Sequence, residues 1–380
     1  MYDSVVIGGG PAGSKAAELL AKDFDVMVME EHGSSGIPAG CAGLITDEVL
    51  RMSGVKPDVH NKLFGAHVYF PCGEKITVRS DWAKANVLDR SELDGLMAEK
   101  AMDAGAEYRF GCKYKGHRVS DKAIVDSTAG KTECSLLVGA DGHSSKVAMS
   151  LGKNNNPKEY LRGFQMDVRK RYDEEDMIVI RLGSETAPGF FSWEIPFGDN
   201  VRAGLCTSWS AGYPYDYMKK LLKTAGLENS EILKTYSGKI PIGGRPKSYG
   251  ERVLLIGDAA GQVKPVSGGG LYPAFKSAEP LYDTASKAFG TGDFSERGLS
   301  GYEKMWKKSA GKELRTGYAL RKLFLKFGDE DFNRAYAAAS KESVRSLLDE
   351  INLDSPSKVV SEMRLRDMAG FVPILMRVLL

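Results

Sequence analysis

A short apolar run, Ser4–Ile7, leads directly into Gly8-Gly9-Gly10-Pro11-Ala12-Gly13, and an alanine-rich stretch with helical spacing follows from Ser14 to Ala21. A second apolar run, Val26–Met29, ends in Glu30. Apolar run, glycine turn, helix-period segment and apolar run in this order predict one βαβ unit. Between Arg90 and a stop at Gly105, the residues Leu93, Leu96, Met97, Lys100 and Ala101 recur at helical spacing. The texture changes from Arg162 to Ser208. There the segments Gly163–Arg169, Asp176–Leu182, Phe190–Pro196 and Val201–Thr207 alternate and are parted by turn residues, which predicts an antiparallel sheet. The run Arg252–Ile256 returns to the parallel texture, a glycine cluster and a helix from about Leu271 follow, and beyond Gly290 the pattern is helical. The pattern as a whole describes an α/β chain in which a parallel-sheet domain is interrupted by an antiparallel one.

Composition narrows the function classes. The 380 residues are 42% hydrophobic and 27% charged, an ordinary globular balance that excludes a disordered or fibrous chain. Lys plus Arg number 52 against 50 Asp plus Glu, so the overall basic field expected of a nucleic-acid binder is missing. Cys41, Cys72, Cys112, Cys134 and Cys206 are odd in number and contain no C-x-x-C pair, and the five histidines show no metal-ligand spacing. No metal site and no disulfide framework are expected, and a reducing cytoplasm is the expected setting. Neither a secretory signal nor an apolar run approaching about 18 residues is seen.

The glycine turn carries the first chemistry. Gly8-x-Gly10-x-x-Gly13 supplies a tight turn, a side-chain-free approach for a pyrophosphate and close helix–strand packing. The amides at the start of the following helix would face the phosphates. Glu30, 22 residues after Gly8, ends the second strand, where a carboxylate accepts from ribose hydroxyls. Two further apolar strands end in aspartate: Leu137-Val138-Gly139-Ala140-Asp141-Gly142 and Leu254-Leu255-Ile256-Gly257-Asp258. Asp258 is placed to hold the hydroxyls of a ribityl chain. The loop Pro265-Val266-Ser267-Gly268-Gly269-Gly270 then opens a helix at Leu271, whose amide end would face the pyrimidine edge of a flavin.

With these segments the chain resembles the flavoproteins of the para-hydroxybenzoate hydroxylase-like group, and within it the geranylgeranyl reductase family. The resemblance covers roughly the first three quarters of the chain. It is carried by the glycine motif with Glu30, Cys41-Ala42-Gly43-Leu44, Leu88-Asp89-Arg90, Gly139-Ala140-Asp141-Gly142, Pro188-Gly189-Phe190-Phe191-Ser192-Trp193-Glu194-Ile195-Pro196, Gly257-Asp258 and Ser267-Gly268-Gly269-Gly270-Leu271. It implies a Rossmann-like FAD-binding domain at 1–62, 87–158 and 248–290, an inserted antiparallel β-sheet substrate domain at 63–86 and 159–247, and a helical C-terminal segment at 291–380. It also implies FAD held by Ala12, Gly13, Glu30, Cys41, Ala42, Arg90, Asp258, Gly270 and Leu271, beside Gly8, Gly10 and Gly269 of the glycine turns. The activity implied is saturation of isoprenoid C=C bonds, in archaea on membrane-lipid precursors.

Strand alternation puts Phe191, Trp193 and Ile195 on one face, which would either floor an isoprenoid slot or pack an ordinary core. Under the resemblance Cys41 lies beside the flavin, as a proton donor to the alkene or as a contact shaping access to the ring. The basic residues from Lys304 to Lys326, interleaved with Met305, Trp306, Leu314, Tyr318 and Leu323, read as a solvated helix face or a membrane-surface helix. The apolar tail Phe371–Leu380 adds weight to peripheral contact with the inner membrane surface. No second glycine motif for a separate nicotinamide domain is seen, so the electron donor stays open between a nicotinamide, a reduced ferredoxin and a quinol. Rival functions are an electron-transfer flavoprotein acting on quinone, a flavin monooxygenase or halogenase, and a non-catalytic isoprenoid carrier.

Overall fold

The computed structural model describes residues 1–152, 154–355 and 357. Its first strand, Tyr2–Ile7, pairs in parallel with Val26–Met29 on one side and Gly130–Gly139 on the other. Val253–Leu255, with Tyr249–Gly250 beyond it, extends the same eight-stranded sheet on one side and Glu107–Arg109 on the other. The first helix, Pro11–Leu20, starts immediately after the glycine turn and packs Ala16, Ala17 and Leu20 on the sheet beside Val6, Val28 and Val138. The long helix Leu271–Thr291 lies against the same cluster through Ala278, Leu281 and Ala285. All of these side chains are buried, which is why their strands read as continuous apolar runs rather than alternating ones.

The second sheet has seven strands in the order Ile232–Ile242, Glu159–Arg169, Asn200–Ser208, Phe191–Phe197, Met177–Leu182, Gly65–Tyr69 and Lys75–Arg79. All neighbours are antiparallel except Met177–Leu182 with Gly65–Tyr69. One face is covered by the helix Pro214–Thr224, which seals Met166, Val168, Ala203 and Leu205 with Met218 and Leu221. The opposite face carries Asp167, Gln165, Gly163, Arg202, Gly204, Cys206, Trp193 and Phe191, and it looks toward the nucleotide half. A small three-stranded sheet, Leu44–Ile45, Ala85–Leu88 and Val59–Leu63, lies at the junction.

The strand Ile232–Ile242 is absent from the sequence reading. It is exposed over most of its length, so its alternation is hidden among polar residues. The basic segment takes the form of a solvated face over the core, with Lys304, Lys308, Lys312, Arg315 and Lys322 exposed. It forms two helices, Gly301–Ser309 and Gly311–Phe324, rather than one amphipathic stripe. Trp306 is buried and donates through Nε1 to Ser248 Oγ at 2.9 Å, and Arg321 is buried on Glu159 Oε1 at 2.7 Å. A membrane-surface helix needs its aromatic side chains outside, and here Tyr302 and Trp306 are core while Tyr318 and Phe324 are half-buried. The tail Phe371–Leu380 lies outside the described residues. Among those described, no helix is long and apolar enough to cross a membrane.

Candidate active site

At the end of the first strand four backbone segments meet without room for side chains. Gly8 has φ +101°, and a Cβ on it would lie 2.4 Å from the Ala140 carbonyl oxygen. A Cβ on Gly13 would lie 1.9 Å from the Gly8 carbonyl oxygen. The Ala12 methyl packs on Gly257, the residue before Asp258. Over Gly10, by contrast, nothing comes within 4 Å, so the start of the first helix opens onto free space. Beside it the Glu30 carboxylate accepts from the amides of Gly9 at 2.7 Å and His32 at 2.9 Å, and the His32 ring nitrogen Nδ1 sits 2.7 Å from Oε1. The carboxylate is thereby fixed at the rim of the glycine turn. A helix start with unpaired amides, next to an oriented carboxylate, suits a diphosphate joined to a ribose.

Arg90 opens the helix Arg90–Asp103 and forks onto Asp94, with Nη2 at 2.9 Å from Oδ1 and 3.1 Å from Oδ2. Burial works against the Arg90 charge, but Asp94 and Cys41 outweigh it and raise the guanidinium's pKa. Its charge also reaches Asp258. Burial pushes the Asp258 pKa up to about 6, against the opposing pull of Arg90 and Arg245. Among the described residues no donor reaches the Asp258 carboxylate, while a Cβ on Gly270 would lie 2.9 Å from Oδ1. Asp258 therefore faces the opening turn of the helix Leu271–Thr291, with Gly269, Gly270 and Leu271 around it. A half-buried carboxylate with unfilled acceptor positions fits a chain of hydroxyls such as the ribityl portion of FAD.

The loop bearing Cys41 and Ala42 is held from the seven-stranded sheet by its carbonyls. Gln165 Nε2 donates to the Cys41 oxygen at 2.9 Å, and Arg202 Nη1 donates to the Ala42 oxygen at 3.0 Å. Arg202 also grips Asp167 through Nε at 2.7 Å and Nη2 at 3.0 Å, and the Tyr236 hydroxyl donates to Asp167 at 2.7 Å. Strand register assembles these groups: Asp167 lies opposite Arg202, and Gln165 opposite Tyr236. None of the four was singled out from the sequence. The signal available was Gln165 and Asp167 at alternate positions in an otherwise apolar stretch, polar groups on the inward period of a strand.

The aromatic residues form a row between two loops. Phe190 and Phe191 stack at 4.2 Å between centroids, and Phe191 meets the Trp193 indole edge-on at 6.1 Å. Trp193 lies flat over Gly204, where a Cβ would come within 2.4 Å of the ring. At one end Phe190 comes within 3.8 Å of the position a Cβ on Gly268 would take, and at the other Trp193 packs in a cluster with Ala42. Phe191 and Trp193 remain partly accessible. Ile195, expected on the same slot, is instead fully buried with Leu63 and Val87, where the small sheet meets the large one. That junction needs an apolar plug, and Ile195 supplies it.

Comparison with known proteins agrees with this geometry. Residues 1–210 match the model of a family described as FAD binding domain. A digeranylgeranylglycerophospholipid reductase of Methanocaldococcus jannaschii is 30% identical, with 90% of this chain and 92% of that protein covered. An uncharacterised protein of the same organism is 33% identical over 92% of this chain and 90% of its own length. Among solved structures, a geranylgeranyl bacteriochlorophyll reductase-like protein of Thermoplasma acidophilum superposes with a TM-score of 0.84 at 21% identity, covering 98% of both chains. The likeness thus runs past the first three quarters of the chain and into its helical C-terminal part. Matched over residues 1–210 by that model and 30% identical to the M. jannaschii reductase over most of both chains, the chain belongs to the FAD-binding family that includes the archaeal digeranylgeranylglycerophospholipid reductases, and FAD is its cofactor.

Proposed function

We propose that this protein is an FAD-dependent reductase of isoprenoid C=C bonds, acting on geranylgeranyl chains of archaeal-type membrane-lipid precursors. Relatives bearing that activity in their names support it over most of the chain. The observation that carries it in this molecule is the aromatic row Phe190–Phe191–Trp193, which connects the loop before Leu271 to the Cys41–Ala42 loop. When bound, FAD supplies two-electron hydride chemistry. The residues of this chain do the rest. Gly8, Gly10, Ala12, Gly13 and Glu30 would hold the adenosine diphosphate half, and Asp258, Gly269, Gly270 and Leu271 the ribityl and pyrimidine side. Arg90, Cys41 and Ala42 would close the opposite rim. Phe191 and Trp193 would lay the polyprenyl chain in a dry, apolar slot, positioning one alkene and excluding water. Saturating one bond needs a hydride and a proton, the second arriving from Cys41 or from water.

The test is anaerobic. Holoprotein reduced with dithionite is mixed with a detergent-dispersed geranylgeranyl lipid, and the product is weighed by mass spectrometry. Gain of a hydrogen pair per saturated bond, with reoxidised flavin, is the expected result. Reoxidation by a quinone without any change in the lipid makes the protein an electron-transfer flavoprotein instead. In a second, aerobic assay with an aromatic substrate and halide, transfer of an oxygen or halogen atom at the expense of dioxygen would make it a monooxygenase or halogenase.

A further inference from the structure

The large sheet ends in an exposed aromatic and basic surface. The strand Asn200–Ser208 runs into the short turn Trp209–Ala211, and the helix Pro214–Thr224 begins directly after Tyr213. Trp209 is 47% exposed, Tyr213 70% and Tyr215 51%, three large rings within seven residues that no core claims. Each ring carries a cation. The Arg162 guanidinium sits 3.9 Å from the Trp209 centroid and 4.5 Å from that of Tyr213. Lys239, opposite Arg162 in the strand register, reaches Trp209 at 5.3 Å, and Lys219 reaches Tyr215 at 5.2 Å. The exposed face of the helix adds Lys220 and Lys223, with Asp216 as the acidic residue in its first turn. Such a surface is costly to leave in water, since isolated exposed Leu or Val is common but clustered Trp and Tyr are not.

Its position relative to the slot is the second observation. Ser208, just before Trp209, donates its amide to the Pro188 oxygen at 3.0 Å. A Cβ on Gly189 would lie 2.7 Å from the Ser208 Cβ. Phe190, the next residue, begins the aromatic row. The exposed rings and the row toward the candidate flavin site therefore meet through one backbone contact.

We propose that Trp209, Tyr213 and Tyr215, with Arg162, Lys219 and Lys239, form a docking surface for an anionic lipid bilayer, from which the polyprenyl chain passes to the row at Phe190. The proposal rests on the reductase reading for the identity of the lipid, but not for the binding itself. Tryptophan and tyrosine settle at the headgroup level, where their apolar bodies and polar edges are both satisfied. Lysine and arginine among them are drawn to acidic headgroups within about a Debye length. No described helix spans a membrane, so a membrane-lipid substrate must be taken from the surface. The geometry thus favours this end of the sheet for membrane contact over the basic helices near the C-terminus, where Tyr302 and Trp306 are buried and Tyr318 and Phe324 half-buried.

Sedimentation of the FAD-loaded protein with vesicles tests it. Vesicles of equal phosphatidylcholine and phosphatidylglycerol should bind wild type, and pure phosphatidylcholine vesicles should bind it less. The triple variant Trp209→Ser, Tyr213→Ser, Tyr215→Ser should lose about tenfold or more in partitioning, and Lys219→Glu with Lys239→Glu should lose the preference for phosphatidylglycerol. Flavin content and turnover on detergent-dispersed lipid should stay at the wild-type level in both. Tyr213→Ser alone, at the most exposed ring, gives a smaller loss of binding without disturbing the fold. Wild type that ignores both vesicles, or variants that sediment as wild type does, would overturn the proposal. So would a charge-reversed variant that keeps its vesicle binding but is reduced slowly by a protein donor, which would assign the surface to an acidic protein. Vesicle binding that is lost in the variants stands even if no alkene is reduced, so the two readings fail separately.

Discussion

The two halves of the site are built by different means. On the nucleotide side, Gly8, Gly10, Gly13 and Glu30 lie close together in sequence, and the backbone itself forms the cradle. On the sheet side, Gln165, Arg202 and Tyr236 come from three strands, and only register brings them to Asp167 and the loop at Cys41. A backbone cradle tolerates no added atom. A side-chain cluster tolerates exchange of atoms so long as its charges stay paired. The two halves should therefore fail differently when altered.

The largest effect is expected at Gly13. Gly13→Val drives a branched side chain into the Gly8 carbonyl oxygen, which lies 1.9 Å from even a Cβ, and the helix cannot shift without leaving the sheet. No FAD-loaded protein should be recovered, as judged by visible absorbance per chain. A yellow Gly13→Val protein of normal melting temperature would show that the cradle is softer than the packing indicates.

Arg202→Met should come next. It strands the buried Asp167 carboxylate, and removing one partner of such a pair costs about 3 kcal/mol or more. Adding Asp167→Leu should recover most of that stability, because an apolar pair of similar volume avoids burying a charge. Neither variant restores the tether to the Ala42 oxygen. The double variant should therefore fold and stay yellow, yet reduce alkene poorly. Full turnover in the double variant would reduce the cluster to packing.

Asp258→Asn gives a smaller effect of opposite sign in two assays. The carboxyl titrates at 3.8 as a reference and near 6 in the protein. The folded apoprotein therefore binds more proton than the unfolded chain between these values, and its stability falls as pH rises from about 4 to 6. Below pH 4 the group is neutral in both states and costs nothing. Above pH 6 the destabilisation is complete, about 2 kcal/mol once partial solvent access is allowed for. Denaturant unfolding of apo Asp258→Asn should show this pH slope flattened and a gain near pH 7, while retention of FAD weakens. A pH slope equal to wild type would mean that the carboxylate is not strained.

Cys41→Ser should change least. The tether at this residue is its carbonyl oxygen, which serine keeps. Flavin should remain bound with a shifted spectrum, and alkene turnover should stay within about tenfold of wild type. A fall in the range of about 10²–10⁴-fold, typical of a lost general acid, would instead make the thiol the proton donor.

This contrast also explains what the sequence made legible. The run into Gly8, the acid at Glu30 and the helix start at Leu271 sit at fixed local offsets, so spacing alone placed them. The strands at Gly163, Phe190 and Val201 were visible because one face of each is apolar. The strand Ile232–Ile242 was not visible, because exposed polar residues on both faces hide its period. The Asp167–Arg202–Tyr236 cluster was invisible for a related reason, since pairing across strands distant in sequence leaves no spacing to read. Arg321 escaped notice for the opposite reason. It stands in a basic stretch that is otherwise solvated, yet an ion pair to Glu159 draws it inside.

The tethers on the Cys41–Ala42 loop reach backbone oxygens, and every amino acid brings the same oxygen. Those two tethers therefore survive a change of side chain at either position, so long as the replacement fits beside Trp193 and Arg90. A lineage, or an engineer, can retune the rim of the site there one residue at a time, while the sheet beneath keeps the register that holds it.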